Sequence, residues 1–373
     1  MHERRVTHLK TPKQPKGRLW PKLVLLAAVL MMCFAALEVY VRLTSSDRAW
    51  NVPREVLTPA GPFTARLKPN LDRVPMTLAD GPTYYISTNG HGFRGPEVAS
   101  IADKPLKVVS LGDSFTFAWG MEVDEHAMAR FVRWYDEKHP DHAVGHAFVA
   151  APVWNPMDYY FAYLTEIRPT KPDVVVLGLF AGNDILPPST PRVLDPADAP
   201  QQTQLSGEPP RPWLYTPGWL RARLAGNPLF VAAAMKFGYE NPVLDRFAGD
   251  VAEQRPAWDT TFFYLDALAK AVHEDGGKLV VVSYPSIIQV ESSEALKRSG
   301  LDVHLPDAVL GDYCRAHDLP FIPTLDALLE HRGEKLYWSV DRHMAPAGQT
   351  VVLDVLEEKL TPILDEVWKQ KQR

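Results

Sequence analysis

The first apolar pattern in the chain is a continuous one. From Leu23 to Leu37 the sequence LVLLAAVLMMCFAAL has no polar interruption, and EVYVRL carries it to Leu43 with only Glu38 and Arg42 charged. Twenty-one helical residues span about 31 Å, close to the thickness of a hydrocarbon core. A membrane-spanning helix is therefore expected at residues 23–43, with Glu38 and Arg42 four apart near its distal end. Residues 44–82 are rich in Pro, Asn and Asp and hold no sustained period, which predicts an irregular stem. The folded region is expected over 83–373, opening with the strand Tyr84-Tyr85-Ile86 and a tight turn at Asn89-Gly90.

Beyond residue 106 the pattern alternates. Short apolar runs occur at Lys107–Leu111, Val144–Val149, Asp173–Leu179, Lys278–Ser283 and Pro320–Ile322. Helical periodicity separates them, at Ala127–Lys138, Pro156–Thr165, Phe262–Glu274 and Pro306–Ala316, and a last apolar helix is expected at Thr350–Leu360. Unbroken apolar strands separated by helices predict a parallel sheet covered on both faces, an α/β fold. One interval breaks this rhythm. Residues 185–241 contain ten prolines and no strand signal, and the aromatic residues Trp213, Tyr215, Trp219 and Phe230 favour a packed cap over a loose loop.

Charge sharpens the membrane reading. The 373-residue chain has 40 Lys plus Arg and 45 Asp plus Glu, a net −5. Residues 1–22 hold seven basic residues and one acidic, +6, which leaves −11 for the rest. Under the positive-inside rule residues 1–22 are cytoplasmic and the acidic body lies outside. A cleaved signal peptide is the rival, although its cleavage site would have to be the weak Cys33-Phe34-Ala35 tripeptide. An acidic body excludes phosphate-backbone recognition, so nucleic acid is not an expected partner. The two cysteines, Cys33 and Cys314, cannot frame a disulfide fold. No Cys/His cluster has zinc-ligand spacing, so no metal is expected. His304, His317, His331 and the His139/His142 pair read as surface residues.

Ligands of parallel sheets bind at the carboxyl ends of strands, which directs attention to the residues after each run. After KVVSL comes Gly112-Asp113-Ser114-Phe115-Thr116, a turn expected to present Ser114 at the start of a helix. After DVVVLGLF comes Ala181-Gly182-Asn183-Asp184. Asp341-Arg342-His343 precedes the final apolar helix. A serine hydroxyl needs a base before it can attack a carbonyl, and His343 has the right chemistry near neutral pH. Asp341 can hold the imidazole in the needed tautomer. Residues two apart on a helix diverge, so Asp341 and His343 should lie on the loop before it. The backbone N–H of Ser114 and the Asn183 amide are candidate donors to a developing oxyanion. Asp113 and Asp184 are expected to orient the turns around them.

These blocks, VVSLGDSFTFAWG, VVVLGLFAGNDI and DRHMAPAG, resemble the SGNH hydrolase superfamily, also called GDSL-type esterases, over roughly Tyr84 to Leu360. NGHGFRGPE is similar to a segment of membrane-anchored bacterial members. The resemblance implies a flavodoxin-like three-layer α/β/α sandwich with a five-stranded parallel sheet, and no cofactor. It implies Ser114 as nucleophile and oxyanion donor, Asn183 as oxyanion amide, and Asp341 and His343 as acid and base. The family's usual third donor is a glycine after the second strand. Here that stretch is FVAAPVWNPMDYY, which has none, and the nearest alignment puts Trp154 at the donor position, where it could also stack on a sugar. Arg94 is a candidate substrate contact.

The function this implies is an extracytoplasmic serine esterase or O-acyltransferase, acting on a small ester or on O-acetyl groups of a cell-envelope carbohydrate. A catalytically weak carbohydrate-binding or assembly factor on the same fold is the alternative. A lipase is a third possibility, one that the polar stem weakens.

Overall fold

The computed structural model describes residues 19–44, 56–78, 80–199, 213–224, 233 and 251–373. Five strands form the central sheet: β5 (Leu106–Gly112), β6 (Val144–Ala150), β7 (Val174–Phe180), β8 (Lys278–Tyr284) and β9 (Phe321–Pro323). Their order is β6-β5-β7-β8-β9, and every pair is parallel. This is the flavodoxin-like order, which reverses direction between β5 and β7. The expected sandwich is borne out, and each strand lies within a residue or two of the run that predicted it.

Side chains alternate between the two faces of this sheet because successive Cβ atoms point to opposite sides. Val109, Leu111, Val175, Leu177 and Val281 enter one core, while Val108, Val174, Val176, Val280 and Val282 enter the other. The first core is covered by α3 (Pro156–Ala162), α5 (Val251–Glu274) and α8 (Leu305–Ala316), through Tyr159, Tyr264, Leu268 and Leu310. The second is covered by α2 (Ala127–Lys138), α10 (Pro346–Lys359) and α11 (Thr361–Lys371), through Phe131, Val352, Leu356 and Leu364. With apolar residues needed on both faces, the strands have no polar alternation, which is why they read as unbroken runs.

The expected stem is corrected from Val56 onward. Strands β1 (Leu57–Thr58) and β2 (Arg66–Leu67) pair, and β3 (Val74–Thr77) pairs with β4 (Thr83–Ile86). Ala60, Phe63, Leu67, Met76 and Leu78 are buried in the first core. Thr64 donates its backbone N–H (2.7 Å) and hydroxyl (2.8 Å) to Asp158, which joins this segment to the first turn of α3. Strands of two to four residues are too short to show a period. The folded body thus begins near residue 56.

Among the described residues one helix is long and apolar enough to cross a membrane, Trp20–Leu43 with mean hydropathy 2.4, within α1 (Leu19–Thr44). Arg42 Nε donates to Glu38 Oε1 at 2.7 Å, the expected i, i+4 pair. The Glu38 carboxylate also accepts the backbone N–H groups of Tyr215 (2.9 Å) and Thr216 (2.9 Å), at the start of α4 (Thr216–Leu224). Arg42 Nη2 donates to the Trp213 carbonyl at 2.6 Å. That piece of the proline-rich insertion therefore sits on the apolar helix. Its first piece, 185–199, lies on α5, where Thr261 Oγ1 accepts the Leu186 N–H (2.8 Å) and Tyr264 Oη the Val193 N–H (3.1 Å). The rest of the expected 185–241 cap apart from residue 233, Phe230 included, lies outside the described residues.

Candidate active site

Ser114 follows β5 and Asn183 follows β7, the two strands that flank the reversal of order, so both project into the crevice at the sheet's carboxyl edge. Gly112 and Gly178 are register partners at that edge. A Cβ on either would run into Thr116 Oγ1. Their lack of a side chain lets the turn after β5 fold back over the sheet. That turn is not the helix start expected: residues 114–120 form consecutive turns, with Phe117 N–H donating to Asp113 O (2.8 Å) and Trp119 N–H to Ser114 O (3.0 Å).

The loop before α10 brings in the other two groups. Trp338 N–H donates to His343 O (2.9 Å) and Arg342 N–H to Trp338 O (2.7 Å), closing a compact loop with Arg342 at φ 73°. Asp80, from the segment before β4, clamps it by accepting Ser339 Oγ (2.8 Å), Val340 N–H (2.7 Å) and Asp341 N–H (3.3 Å). His343 Nδ1 lies 2.7 Å from Asp341 Oδ1, and His343 Nε2 lies 2.7 Å from Ser114 Oγ. A carboxylate only accepts, so Nδ1 carries the proton; Nε2 is then an acceptor and Ser114 Oγ–H donates to it. The second Asp341 oxygen accepts from Trp119 Nε1 at 3.2 Å. Burial would raise the Asp341 carboxyl, but the facing His343, its hydrogen bonds and that of Trp119 outweigh burial and hold it below its ordinary value.

Two donors remain unengaged beside this relay. The backbone N–H of Ser114 donates to no protein group among the described residues. Asn183 Nδ2 gives one hydrogen to Asp113 Oδ2 at 3.0 Å and keeps a second. Asp113, wholly buried, also accepts the Phe115 N–H (2.9 Å), and its burial pushes the carboxyl upward in pKa. Asp184 accepts from Phe180 N–H (2.7 Å) and Tyr159 Oη (2.8 Å), which fixes the turn carrying Asn183. Phe115, Phe180, Tyr284 and Trp119 surround the His343 ring and the serine turn, with ring centroids 4.4–6.0 Å apart along the contacts Phe115–Phe180, Phe115–Tyr284, Phe115–His343 and Trp119–His343.

Two expected site residues are corrected. Trp154 is wholly buried: its Nε1 donates to Ala65 O (2.6 Å) and its ring stacks on Phe63 at 5.3 Å, so it offers no face to a sugar. Its backbone N–H points to Ala151 O at 3.4 Å. In the same turn the Val153 N–H donates to no protein group among the described residues, and Val153 sits at φ 62° and is 40 % exposed. Arg94 is buried and makes no surface for substrate. Its Nη1 donates to the carbonyls of Phe117 (3.2 Å), Ala118 (2.9 Å) and Met121 (3.0 Å), and its Nη2 to Tyr85 O (3.0 Å). Desolvation lowers the guanidinium pKa to about 10. NGHGFRG is thus a brace for the serine turn. Gly92, at φ 83°, is required there because a Cβ would meet Leu67 O.

The sequence did not single out Asp80, Trp119, Val153 or His126. His126 caps α2 by accepting the Met128 N–H at Nδ1 (3.1 Å) and donates Nε2–H to Phe115 O (3.1 Å); burial lowers its pKa to about 3. Only Trp119, five residues after Ser114, was near enough in sequence to draw notice.

An α/β protein with a flavodoxin-like sheet and a serine-histidine-aspartate relay at its switch point is the class that fold and site define, and it is the arrangement the SGNH resemblance implies. No family model and no curated protein matches the chain. Among solved structures it is similar to TesA, at 12 % identity and TM-score 0.39, covering 69 % of this chain and 98 % of that one. It is also similar to the acetyl xylan esterase AlAXEase, at 13 % identity and TM-score 0.41, covering 68 % and 98 %. A third is the acetylxylan esterase Axe2 of Geobacillus stearothermophilus, at 11 % identity and TM-score 0.40, covering 68 % and 93 %.

Proposed function

We propose that the protein is an esterase or O-acyltransferase in which Ser114 is the nucleophile, His343 the general base and then acid, and Asp341 the group that holds the imidazole. The observation that carries this reading is the unbroken relay from Ser114 Oγ to His343 Nε2 and from His343 Nδ1 to Asp341, 2.7 Å at each step. His343 takes the serine proton as Oγ attacks the ester carbonyl, and the oxyanion is met by Ser114 N–H and Asn183 Nδ2. Val153 N–H, in place of the expected Trp154, is the third donor in this reading. Collapse of the tetrahedral adduct expels the alcohol, protonated by His343, and leaves an acyl-Ser114. Water or a sugar hydroxyl, activated by His343, then takes the acyl group.

The aromatic walls close around Ser114, which is only 8 % exposed, and this favours a short acyl chain. Residues 1–22 are taken as cytoplasmic, 23–43 as the anchor, and the body from about residue 56 as extracytoplasmic. Its substrate is then an O-acetylated carbohydrate of the cell envelope, an assignment that rests on this topology and on the family resemblance.

The test is to react the full chain in detergent with a fluorophosphonate probe, locate the adduct by mass spectrometry, and assay p-nitrophenyl acetate and a panel of O-acetylated glycans. Labelling at Ser114 that vanishes in Ser114→Ala and collapses in His343→Ala is expected. A folded protein that neither labels nor cleaves acetate esters returns the choice to a binding or assembly role.

A further inference from the structure

At the opposite end of the sheet from Ser114, three groups with metal-ligand chemistry converge. His139 is the residue at which α2 ends, His142 lies in the turn before β6, and Asp365 comes from α11. Contrary to the expectation of a surface pair, His142 is buried, with its ring stacked on Trp368 at 4.4 Å and 14°. Nδ1 or Nε2 of each histidine and a carboxylate oxygen of Asp365 all lie within 4.8 Å of one another. The sequence could not show this set, because Asp365 is more than two hundred residues from either histidine.

Hydrogen bonding fixes which atoms face inward. His139 Nδ1 lies 3.0 Å from Tyr135 O, a carbonyl that can only accept, so this nitrogen carries the proton. His139 Nε2 is then a bare acceptor in the neutral ring, yet it faces Asp365 Oδ1 at 3.5 Å, a second acceptor. Two facing acceptors are relieved either by a proton on Nε2 or by a metal ion that both ligate. Ligands about 2.0–2.1 Å from a tetrahedral zinc stand about 3.3 Å apart, so the pair is already spaced as two zinc ligands. Tyr135 supplies the outer support: its carbonyl orients His139, its ring stacks on His139 at 4.0 Å, and its hydroxyl donates to Asp365 Oδ1 at 2.7 Å. A histidine tied to a backbone carbonyl and a carboxylate held by a hydroxyl are the usual surroundings of metal ligands. His142 Nε2 lies 3.2 Å from the same hydroxyl, so binding moves its proton to Nδ1 or to solvent.

We infer that His139, His142 and Asp365 form a site for a zinc-class divalent cation, with solvent in the fourth position, that ties α11 to α2 and β6. Two imidazoles and one carboxylate select zinc, cobalt or nickel over magnesium or calcium, which prefer all-oxygen shells.

The test titrates the full chain in detergent with Zn²⁺ by calorimetry, follows Co²⁺ by visible absorption, and records melting with and without each ion. One equivalent of Zn²⁺, intense four-coordinate Co²⁺ bands and a raised melting temperature that Mg²⁺ does not produce are expected. His139→Gln and Asp365→Asn, both at partly exposed positions, should each weaken Zn²⁺ by about tenfold or more and abolish the melting shift. No stoichiometric binding, or binding that both variants leave unchanged, overturns the site. None of these measurements reads ester cleavage, so the result stands apart from the proposed activity.

Discussion

The serine turn and the brace beneath it contain equally polar residues, and they differ in how many of their hydrogen-bonding groups are already engaged. In the brace most strong groups are occupied, Arg94 Nε and Tyr84 Oη being buried exceptions. Arg94 satisfies four carbonyls, Asp158 accepts three donors, two from Thr64 and the Asn155 N–H, and Trp154 Nε1 has Ala65 O. In the turn the N–H of Ser114 and one hydrogen of Asn183 have no protein partner among the described residues, and the serine hydroxyl leans on a base. Buried polar groups are normally satisfied, and the open donors of the turn differ from the brace's unpartnered Arg94 Nε and Tyr84 Oη in lying beside the Ser114–His343 pair. Arg94 and Trp154, conspicuous by residue type, are scaffold because both are buried and their donors serve backbone carbonyls.

The largest effects should come from the turn. Ser114→Ala is expected to lower turnover of p-nitrophenyl acetate by about 10⁶-fold. Asp341→Asn, which keeps the shape but presents the wrong tautomer to His343, should lower it by about 10⁴-fold. Both should melt near the wild-type temperature. Ser114→Ala that keeps its activity would sink the assignment.

Asn183→Ala and Arg94→Met then set the two regions against each other. Removal of the amide donor should cost about 10²- to 10³-fold in kcat with little change in KM. Arg94→Met should instead cost about 3 kcal/mol or more in denaturant unfolding, because four carbonyls lose their partner, while the folded fraction keeps its KM. A large KM increase with unchanged stability would return Arg94 to the substrate site.

A pH series sharpens the same contrast. Burial lowers the pKa of His126 to about 3, against about 6.5 unfolded. The stability linked to this neutral ring is complete above pH 6.5 and is lost as pH falls toward 3, because the unfolded chain takes up the proton first. At pH 4.5 the loss is about 2–3 kcal/mol. Burial raises Asp113, Asp158 and Asp307, which titrate with the opposite sign, so the measurable quantity is the difference from His126→Asn. Asn still accepts from Met128 but does not reach Phe115. The variant should be less stable at pH 7.5 and lose less on acidification, so the two melting curves approach each other. Parallel curves would mean that His126 contributes nothing to acid sensitivity.

The central sheet was legible because both its faces are apolar, and so were the exits of β5 and β7 that carry Ser114 and Asn183. Asp341 and His343 were legible only by residue type ahead of the last apolar helix, since they lie on the loop before α10 and not at a strand end. The brace was not. Its strands run two to four residues, below the length at which alternation can be seen, and the burial of Arg94 and Trp154 depends on those strands. Asp80, which clamps the loop of Asp341 across 261 positions, has no local signal at all.

Val153 is the residue proposed as third donor, next to the buried Trp154, and its N–H donates to no protein group among the described residues. A β-branched residue at φ 62° is an outlier that costs about 1–3 kcal/mol, whereas glycine adopts the region freely. Val153→Gly should therefore relieve strain. Opposing it are the loss of a side chain already 40 % exposed and the greater freedom of glycine in the unfolded chain, about 0.4–1 kcal/mol. The net expectation is a gain of up to about 1 kcal/mol in denaturant unfolding. Because the backbone N–H is kept, esterase turnover should stay within a few fold of wild type. Val153→Pro removes that N–H and cannot adopt a positive φ, so it should lose activity beyond its loss of stability. If glycine instead abolishes turnover in a folded protein, the valine side chain rather than its amide is what the reaction requires at this turn.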